Sequence, residues 1–119
     1  MGKFVIREVN TGVKFDLKAA NGEIVAVSEV YESRAACLKG IDSLCRIVGT
    51  EKVEDQTAGG KTLTNPKFEV YQDRAGEYRF RLRARNGKIV AASEGYASRQ
   101  ACLDGIESVR SSACEGEIE

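Results

Sequence analysis

The chain has 119 residues, a length typical of one compact domain. Its 18 basic and 18 acidic residues cancel, which argues against a general coat for nucleic acid or a polybasic membrane anchor. No apolar run is long enough to cross a bilayer, and the first residues lack the apolar core of a secretory signal, so we expect no membrane partner.

Alternating apolar and polar residues predict three strands in the first third of the chain, at residues 4–7, 13–20 and 23–28. Asn21-Gly22 separates the last two strands and predicts a type I′ turn, in which both central residues need a positive φ. Ser33 is a favourable N-cap for the helix that follows. The apolar stripe of that helix consists of Cys37, Ile41, Leu44 and Val48.

The second half shows the same pattern after a connector at residues 49–66. Its three strands are expected at residues 68–71, 78–85 and 88–93. A helix is expected after Ser98. The apolar stripe of this helix consists of Cys102, Ile106, Val109 and Ala113. A short strand at residues 52–54 and its match at residues 117–119 would end the two units.

The two halves are copies of one unit, because residues 21–44 and 86–109 are identical at 16 of 24 positions with a constant offset of 65. Gly40 and Gly105 recur in mid-helix although each costs about 1 kcal/mol relative to alanine, so we expect another backbone to approach them closely. The repeat predicts a single duplicated domain. Its expected boundaries are 1–119 for the domain, 3–57 for repeat one, 58–66 for the linker and 67–119 for repeat two.

Each copy carries Asn-Gly, then Ile-Val-Ala, then Ser-Glu-x-Tyr-x-Ser-Arg, then Cys-Leu-x-Gly-Ile-x-Ser. Over nearly the whole chain these segments resemble the YegP-like family of small bacterial domains. The resemblance implies an α+β fold of two tandem βββα(β) repeats that form one antiparallel sheet, with both helices on one face. It also implies that the terminal strands are exchanged, so that Val53 pairs with the second half and Ile118 with the first. No activity is established for the family, so the resemblance supplies no site residue.

The sequence shows no catalytic or cofactor-binding set. The absence of histidine removes the commonest general base and excludes Ser-His-Asp and Cys-His arrangements within one chain. The four cysteines form no C-x-x-C pair, so we expect neither a zinc site nor any other cofactor. Cys37 and Cys102 are instead predicted to be buried, reduced thiols, which favours a cytoplasmic location.

One predicted strand has a composition that points to a ligand. A period of two places the apolar side chains of residues 78–85 on one face and four arginines on the other. Guanidinium groups suit phosphate and carboxylate, so these arginines and two lysines of the first copy are candidate anion-binding residues. They are Arg79, Arg81, Arg83, Arg85, Lys14 and Lys18. The alternative is a solvated face whose arginines pair across strands with acids such as Glu69 and Asp16.

The sequence alone does not name a function. The hypothesis it favours is a non-catalytic binding module whose open sheet face takes an anionic ligand, with nucleic acid as one such anion, or a protein. Two alternatives stay open. One is a small enzyme or accessory subunit with a site at the repeat junction, suggested by the repeated Ser-Glu-x-Tyr-x-Ser-Arg. The other is a structural module that oligomerises through exposed sheet edges.

Overall fold

The computed structural model describes residues 2–59, 61–113 and 117–118, which form eight strands and two helices. The elements of the first half are β1 (Lys3–Val9), β2 (Gly12–Lys18), β3 (Ile24–Val27), α1 (Arg34–Ile47) and β4 (Val53–Asp55). Those of the second half are β5 (Lys67–Gln72), β6 (Tyr78–Arg83), β7 (Ile89–Ala92), α2 (Arg99–Ala113) and β8 (Glu117–Ile118). This order of elements is the one that the sequence predicts.

All eight strands join one mixed sheet, in the order β4-β5-β6-β7-β3-β2-β1-β8. The strands from β5 to β1 are antiparallel, as predicted. The outer pairs β4–β5 and β8–β1 are parallel, which refines the prediction of one antiparallel sheet at its two edges. Parallel neighbours need a crossover of about a dozen residues, and the connector between β4 and β5 has that length.

Each half completes the sheet of the other half. β4 of the first half pairs with β5 of the second, where Val53 lies opposite Phe68. β8 of the second half pairs with β1 of the first, where Ile118 lies opposite Phe4. The two halves also meet in the middle of the sheet, where β3 pairs with β7. The predicted exchange of terminal strands is therefore confirmed.

Both helices pack on the same face of the sheet, as predicted, and they bury one shared core. α1 lies against β1, β2 and β7, and α2 lies against β1, β2, β3 and β6, so each helix contacts both halves. Cys37 and Cys102 are fully buried, which confirms their predicted burial, and burial raises the pKa of both thiols, that of Cys102 to about 11. Among the described residues, no helix is long and apolar enough to cross a membrane.

The Asn-Gly turns differ from the type I′ prediction. Gly22 and Gly87 each have a φ of 84°, but in the described part of the chain no residue other than glycine has a positive φ. The amide of Gly22 donates to the carbonyl of Ala19, and the amide of Ala19 donates to the carbonyl of Glu23. This pattern is a three-residue loop, a type I turn closed by a left-handed glycine. In the β6–β7 hairpin the same loop begins at Arg85.

Tyrosine rings explain the mid-helix glycines. A Cβ at Gly40 would lie 2.2 Å from the hydroxyl oxygen of Tyr31, and a Cβ at Gly105 would lie 2.3 Å from that of Tyr96. The Tyr31 ring is held in place by stacking on Phe15, with 6.4 Å between ring centroids. The close approach predicted from the sequence is present, but the neighbour is a side chain of the same repeat and not a backbone.

Replacing Gly40 with alanine is expected to lower the free energy of unfolding by up to about 2 kcal/mol. Overpacking against Tyr31 costs about 1–3 kcal/mol, and the gain in helix propensity returns about 1 kcal/mol. Denaturant unfolding measures the change. Gly49→Ala is the matched control, because a Cβ at Gly49 meets nothing within 4 Å. A Gly40→Ala variant that is more stable than the wild type would contradict the role given to Tyr31.

Candidate anion-binding face of the sheet

The candidate site is the helix-free face, which we define as the sheet face opposite α1 and α2. Side chains that alternate with the buried core residues of each strand point to this face. The strand register aligns them in rows across all eight strands. The central row crosses seven strands in their order in the sheet, β1, β2, β3, β7, β6, β5 and β4. Its residues in that order are Val5, Asp16, Val27, Ala92, Arg81, Glu69 and Glu54. Charged side chains are therefore concentrated in the second half of the row.

Three of the four predicted arginines are paired with acids on the helix-free face. The Nε atom of Arg79 lies 2.7 Å from a carboxylate oxygen of Asp73. The Nε atoms of Arg81 and Arg83 each lie 2.6 Å from the same carboxylate oxygen of Glu69. The cross-strand pairing with Glu69, which the sequence offered as the alternative to a ligand site, is therefore present.

Arg85 does not share the face of the other three arginines. β6 ends at Arg83, so the strand predicted at residues 78–85 is shorter than expected, because the three-residue loop begins at Arg85. The Arg85 side chain is exposed and lines a recess with Ser43 and Arg46 of α1. The structure thus brings together three of the predicted arginines and places the fourth on the helix side.

A buried charge cluster lies at the second-half edge of the helix-free face. The Nζ atom of Lys67 lies 2.7 Å from Glu54 and 3.4 Å from Glu69, and each of these side chains is at most 8% exposed. Part of the connector closes over them. The amide of Leu63 donates to Glu54 at 2.7 Å, and Lys67 donates to the carbonyl of Leu63 at 2.9 Å. This part of the sheet is therefore covered and offers little room for a ligand.

Hydrogen bonds keep the members of this cluster charged. Bonds from the Gln56 side chain, from Lys67 and from a connector amide lower the pKa of Glu54 to about 2. Burial raises the pKa of Glu69, but bonds from the two arginines of β6 outweigh burial, so its pKa is lowered overall. The hydrogen bond to Glu54 raises the pKa of Lys67. The cluster is thus a set of satisfied ion pairs near neutral pH.

In the first half of the helix-free face, fewer of the basic side chains are paired with acids. Its acid Asp16 is 5% exposed and accepts a bond from the Nε atom of Arg7 at 2.9 Å. Lys14 and Lys18 flank Asp16 on β2 and are half-buried. Within the described residues neither lysine forms an ion pair. These lysines occupy the positions that Arg79 and Arg83 occupy in β6.

Sequence reasoning missed the buried cluster. Lys67 and Glu69 alternate with apolar residues in β5, which is the ordinary pattern of a strand with one face in water. Glu54 lies in the exchanged strand, so its approach to Lys67 depends on a pairing that periodicity does not reveal. The one available signal was the predicted exchange of the terminal strand, which brings β4 to the second half. The parallel register seen in the structure then sets Glu54 beside Glu69, and the two carboxylates demand a cation between them.

The repeated Ser-Glu-x-Tyr-x-Ser-Arg motif supports the fold. Ser28 accepts a bond from a β2 amide at 2.9 Å and donates to the next carbonyl along the chain at 2.7 Å. Ser33 caps α1 by accepting a bond from the amide of Ala36 at 3.1 Å. Ser93 and Ser98 repeat these bonds in the second half. In the described part of the chain, no group of three or more His, Cys, Asp or Glu side chains could hold a metal ion.

The sequence and this arrangement of strands can be compared with those of known proteins. A model of a domain of unknown function, DUF1508, matches residues 9–55 and again residues 73–119. The chain belongs to the DUF1508 family. UPF0339 protein MS1092 of Mannheimia succiniciproducens is 36% identical over 99 residues, which are 83% of this chain and 75% of that protein. A UPF0339 protein of Methanosarcina acetivorans is 58% identical over 52 residues, 44% of this chain but 90% of that protein. That relative therefore has about the length of one repeat.

Two solved structures share the fold of this DUF1508 chain. The solution structure of yegP from E. coli, a protein of unknown function, has a TM-score of 0.80 and 28% identity, and the match covers 99% of this chain and 90% of that one. The solution structure of UPF0339 protein SO3888 from Shewanella oneidensis has a TM-score of 0.81 and 25% identity, with 99% and 89% covered. These matches confirm the resemblance to the YegP-like family. The family has no characterised activity, so function must be argued from the surface chemistry of the chain.

Proposed function

We propose that this protein is a non-catalytic binding module whose helix-free face takes an anionic polymer, with Lys14 and Lys18 as the principal contacts. The observation that carries the proposal is that the basic side chains in the two halves of that face differ in whether they have acid partners. The arginines of β6 already hold carboxylates, whereas the two lysines of β2 have no acid partner among the described residues. A cation without a partner gains most from a phosphate or carboxylate. The buried thiols described above favour the cytoplasm as the place of action.

The spacing of the basic side chains favours an extended ligand over a single small anion. Lys14 and Lys18 are four residues apart on one strand, roughly 13 Å. β3 and β7 separate β2 from β6, so the basic side chains of these two strands lie roughly 14 Å apart across the sheet. Arg79 is the most exposed of the three paired arginines of β6, at 36%, and would be the contact on the far side. One phosphate cannot reach all three groups, whereas a chain of phosphates can.

The salt dependence of binding tests this function. A single-stranded oligonucleotide and an inorganic polyphosphate serve as probes, with affinity measured by fluorescence anisotropy from about 50 to 200 mM salt. Each phosphate contact contributes a slope of about −0.7 to −0.9 in the plot of log affinity against log salt, so the two lysines together contribute about −1.5. Lys14→Gln/Lys18→Gln is expected to remove that contribution, leaving at most the slope due to Arg79, and to weaken binding at low salt.

A matched control removes the same number of positive charges elsewhere. Arg34→Gln/Arg74→Gln changes two exposed arginines, one at the start of α1 and one in the β5–β6 turn. This variant is expected to keep the wild-type slope. Equal loss of binding in both double variants would show a dependence on net charge alone. No measurable binding of either probe at about 50 mM salt would overturn the proposal.

A further inference from the structure

A groove on the helix side of the molecule is built by both halves. It encloses about 880 Å³ between the first half of α1, the segment that precedes it and the β6–β7 hairpin. This volume is in the range of small-molecule sites. A recess of about 480 Å³ adjoins it and shares Ser43, Ala84 and Asn86 with it. We call the two together the α1 groove.

The duplication supplies an internal reference for the α1 groove, because every position in it has an equivalent in the other half, between α2 and the β2–β3 hairpin. Lys39 of the α1 groove corresponds to Asp104, and Lys88 corresponds to Glu23. The adjoining recess repeats the contrast. Arg46 and Arg85 there correspond to Ser111 and Ala20, which line the equivalent recess of the other half.

The charged residues of the two grooves therefore differ, whereas several residues that shape the grooves are the same in both. Gly40, Ser43 and Asn86 have identical counterparts in the other half, and so does the rim acid Glu29. Because the fold needs the same turn and helix contacts in both halves, it does not account for basic groups in one groove and acidic groups in the other. One apolar lining position differs as well, because Val30 corresponds to Gly95, but the reversal of charge at Lys39 and Lys88 is the difference that points to an anionic ligand.

The floor of the α1 groove is apolar. Its lining includes Ala36, Val30, Ile89 and Val90. Gly40 has no side chain and so leaves space above the helix at that point. The ring of Tyr31 crosses beside Gly40. Within the described residues, Lys39 and Lys88 form no ion pair, so both ammonium groups are available to an anion. The groove thus offers an apolar surface next to unpaired cations.

We propose that the α1 groove binds a small anionic ligand that has a flat apolar body and a phosphate or carboxylate group. The body lies on the Ile89 and Val90 surface, and the anionic group is held by Lys39 and Lys88. Arg85 in the adjoining recess takes a second anionic group where the ligand has one. This site is on the opposite side of the sheet from Lys14 and is independent of the polymer site on the helix-free face.

Phenyl phosphate is the probe that tests this site, with inorganic phosphate and phenol as its separated parts. In a titration of ¹⁵N-labelled wild-type protein, we expect saturable amide shifts at Lys39, Gly40 and the β6–β7 hairpin. Phenyl phosphate should bind more tightly than either part alone. Lys39→Gln/Lys88→Gln should weaken its binding about tenfold or more, because charge-assisted hydrogen bonds are worth about 1.5–3 kcal/mol. Both side chains are exposed, so the variant is expected to fold.

The equivalent groove beside α2 is the internal control, and its amides near Asp104 and Glu23 should not shift. Three outcomes would overturn the proposal. The first is no saturation by about 10 mM phenyl phosphate. The second is an equal response of both grooves, which would show that the charge difference is irrelevant. The third is inorganic phosphate binding as tightly as phenyl phosphate, which would show that the apolar floor plays no part. Shifts confined to β2 would assign the anion to the helix-free face instead.

Discussion

Replacing Lys67 with methionine is expected to lower the free energy of unfolding by about 3–5 kcal/mol, the largest single effect in the molecule outside its apolar core. The ammonium group of Lys67 lies between the carboxylates of Glu54 and Glu69, both of which are nearly inaccessible to water. Without it, two neighbouring negative charges remain buried with no cation between them. Thermal and denaturant unfolding measure the loss, which corresponds to a fall in Tm of roughly 10 °C or more.

Lys14→Met is the matched control for this substitution. Lys14 is a lysine on the same face, but it is half-buried and has no acid partner among the described residues. Its replacement is expected to change stability by no more than about 0.5 kcal/mol. If the Lys67→Met variant were as stable as the wild type, the buried cluster would not hold the exchanged strand β4 in place.

The same cluster sets the acid limit of the protein. The pKa of Glu54 falls from its usual 4.5 to about 2 in the folded state, so its stabilising contribution is fully present above about pH 4.5. That contribution is lost progressively as the pH falls from 4.5 toward 2. The pKa of Glu69 is also lowered and acts in the same direction. Lys67→Met should make stability depend less on pH in this window, because Lys67 is one cause of the low pKa of Glu54.

The double substitution Arg81→Gln/Arg83→Gln is expected to cost about 2–3 kcal/mol, the second largest effect. Both arginines donate to one oxygen of the buried Glu69, and the Arg81 guanidinium also lies 4.5 Å from the ring centroid of Tyr71. Their loss leaves Glu69 with only part of its compensation, chiefly from Lys67 at 3.4 Å, together with a hydrogen bond from the Gln56 amide at 3.4 Å. The cost should be smaller than a complete break of a buried ion pair, because the contact with Lys67 remains.

Lys14→Gln/Lys18→Gln makes the corresponding change in the first half and should leave stability within about 0.5 kcal/mol of the wild type. The contrast between the two double variants separates arginines that support the fold from lysines that are available to a ligand. Equal stability of both variants would mean that the contacts with Glu69 contribute nothing. In that case the arginines of β6 would be as available to a ligand as the lysines of β2.

Much of the fold could be predicted from the sequence because its signals are local. Alternation marked the strands, Ser33 and Ser98 marked the helix starts, and the constant offset showed that the fold is built twice. The turn type was missed because Asn-Gly suits both a two-residue type I′ loop, in which the asparagine has a positive φ, and the three-residue loop found here, in which it does not. The partner of Gly40 was missed because the path of a tyrosine ring across a helix is not encoded in periodicity.

The candidate site was harder to predict because it depends on register. Sequence reasoning singled out the basic side chains of β2 and β6 as candidate ligand contacts. It could not tell Lys14 from Arg81, because the difference is the presence of a buried Glu69 on the adjacent strand. The α1 groove escaped notice for a related reason. Lys39 and Lys88 are far apart in the chain. They line the same groove only because α1 of the first half packs on β7 of the second.

In the proposed function, the helix-free face binds an anionic polymer. The most direct test is to titrate ¹⁵N-labelled wild-type protein with a single-stranded oligonucleotide at about 50 mM salt and to map the amide shifts. The proposed function predicts that the largest shifts fall on β2, around Lys14 and Lys18, with weaker shifts near Arg79 and none above background on α2. At a fixed, sub-saturating oligonucleotide concentration these shifts should become smaller as salt is raised to about 200 mM, because a slope of about −1.5 weakens binding about eightfold. Shifts centred on the helices, or a face that stays silent while the oligonucleotide binds, would contradict the proposal.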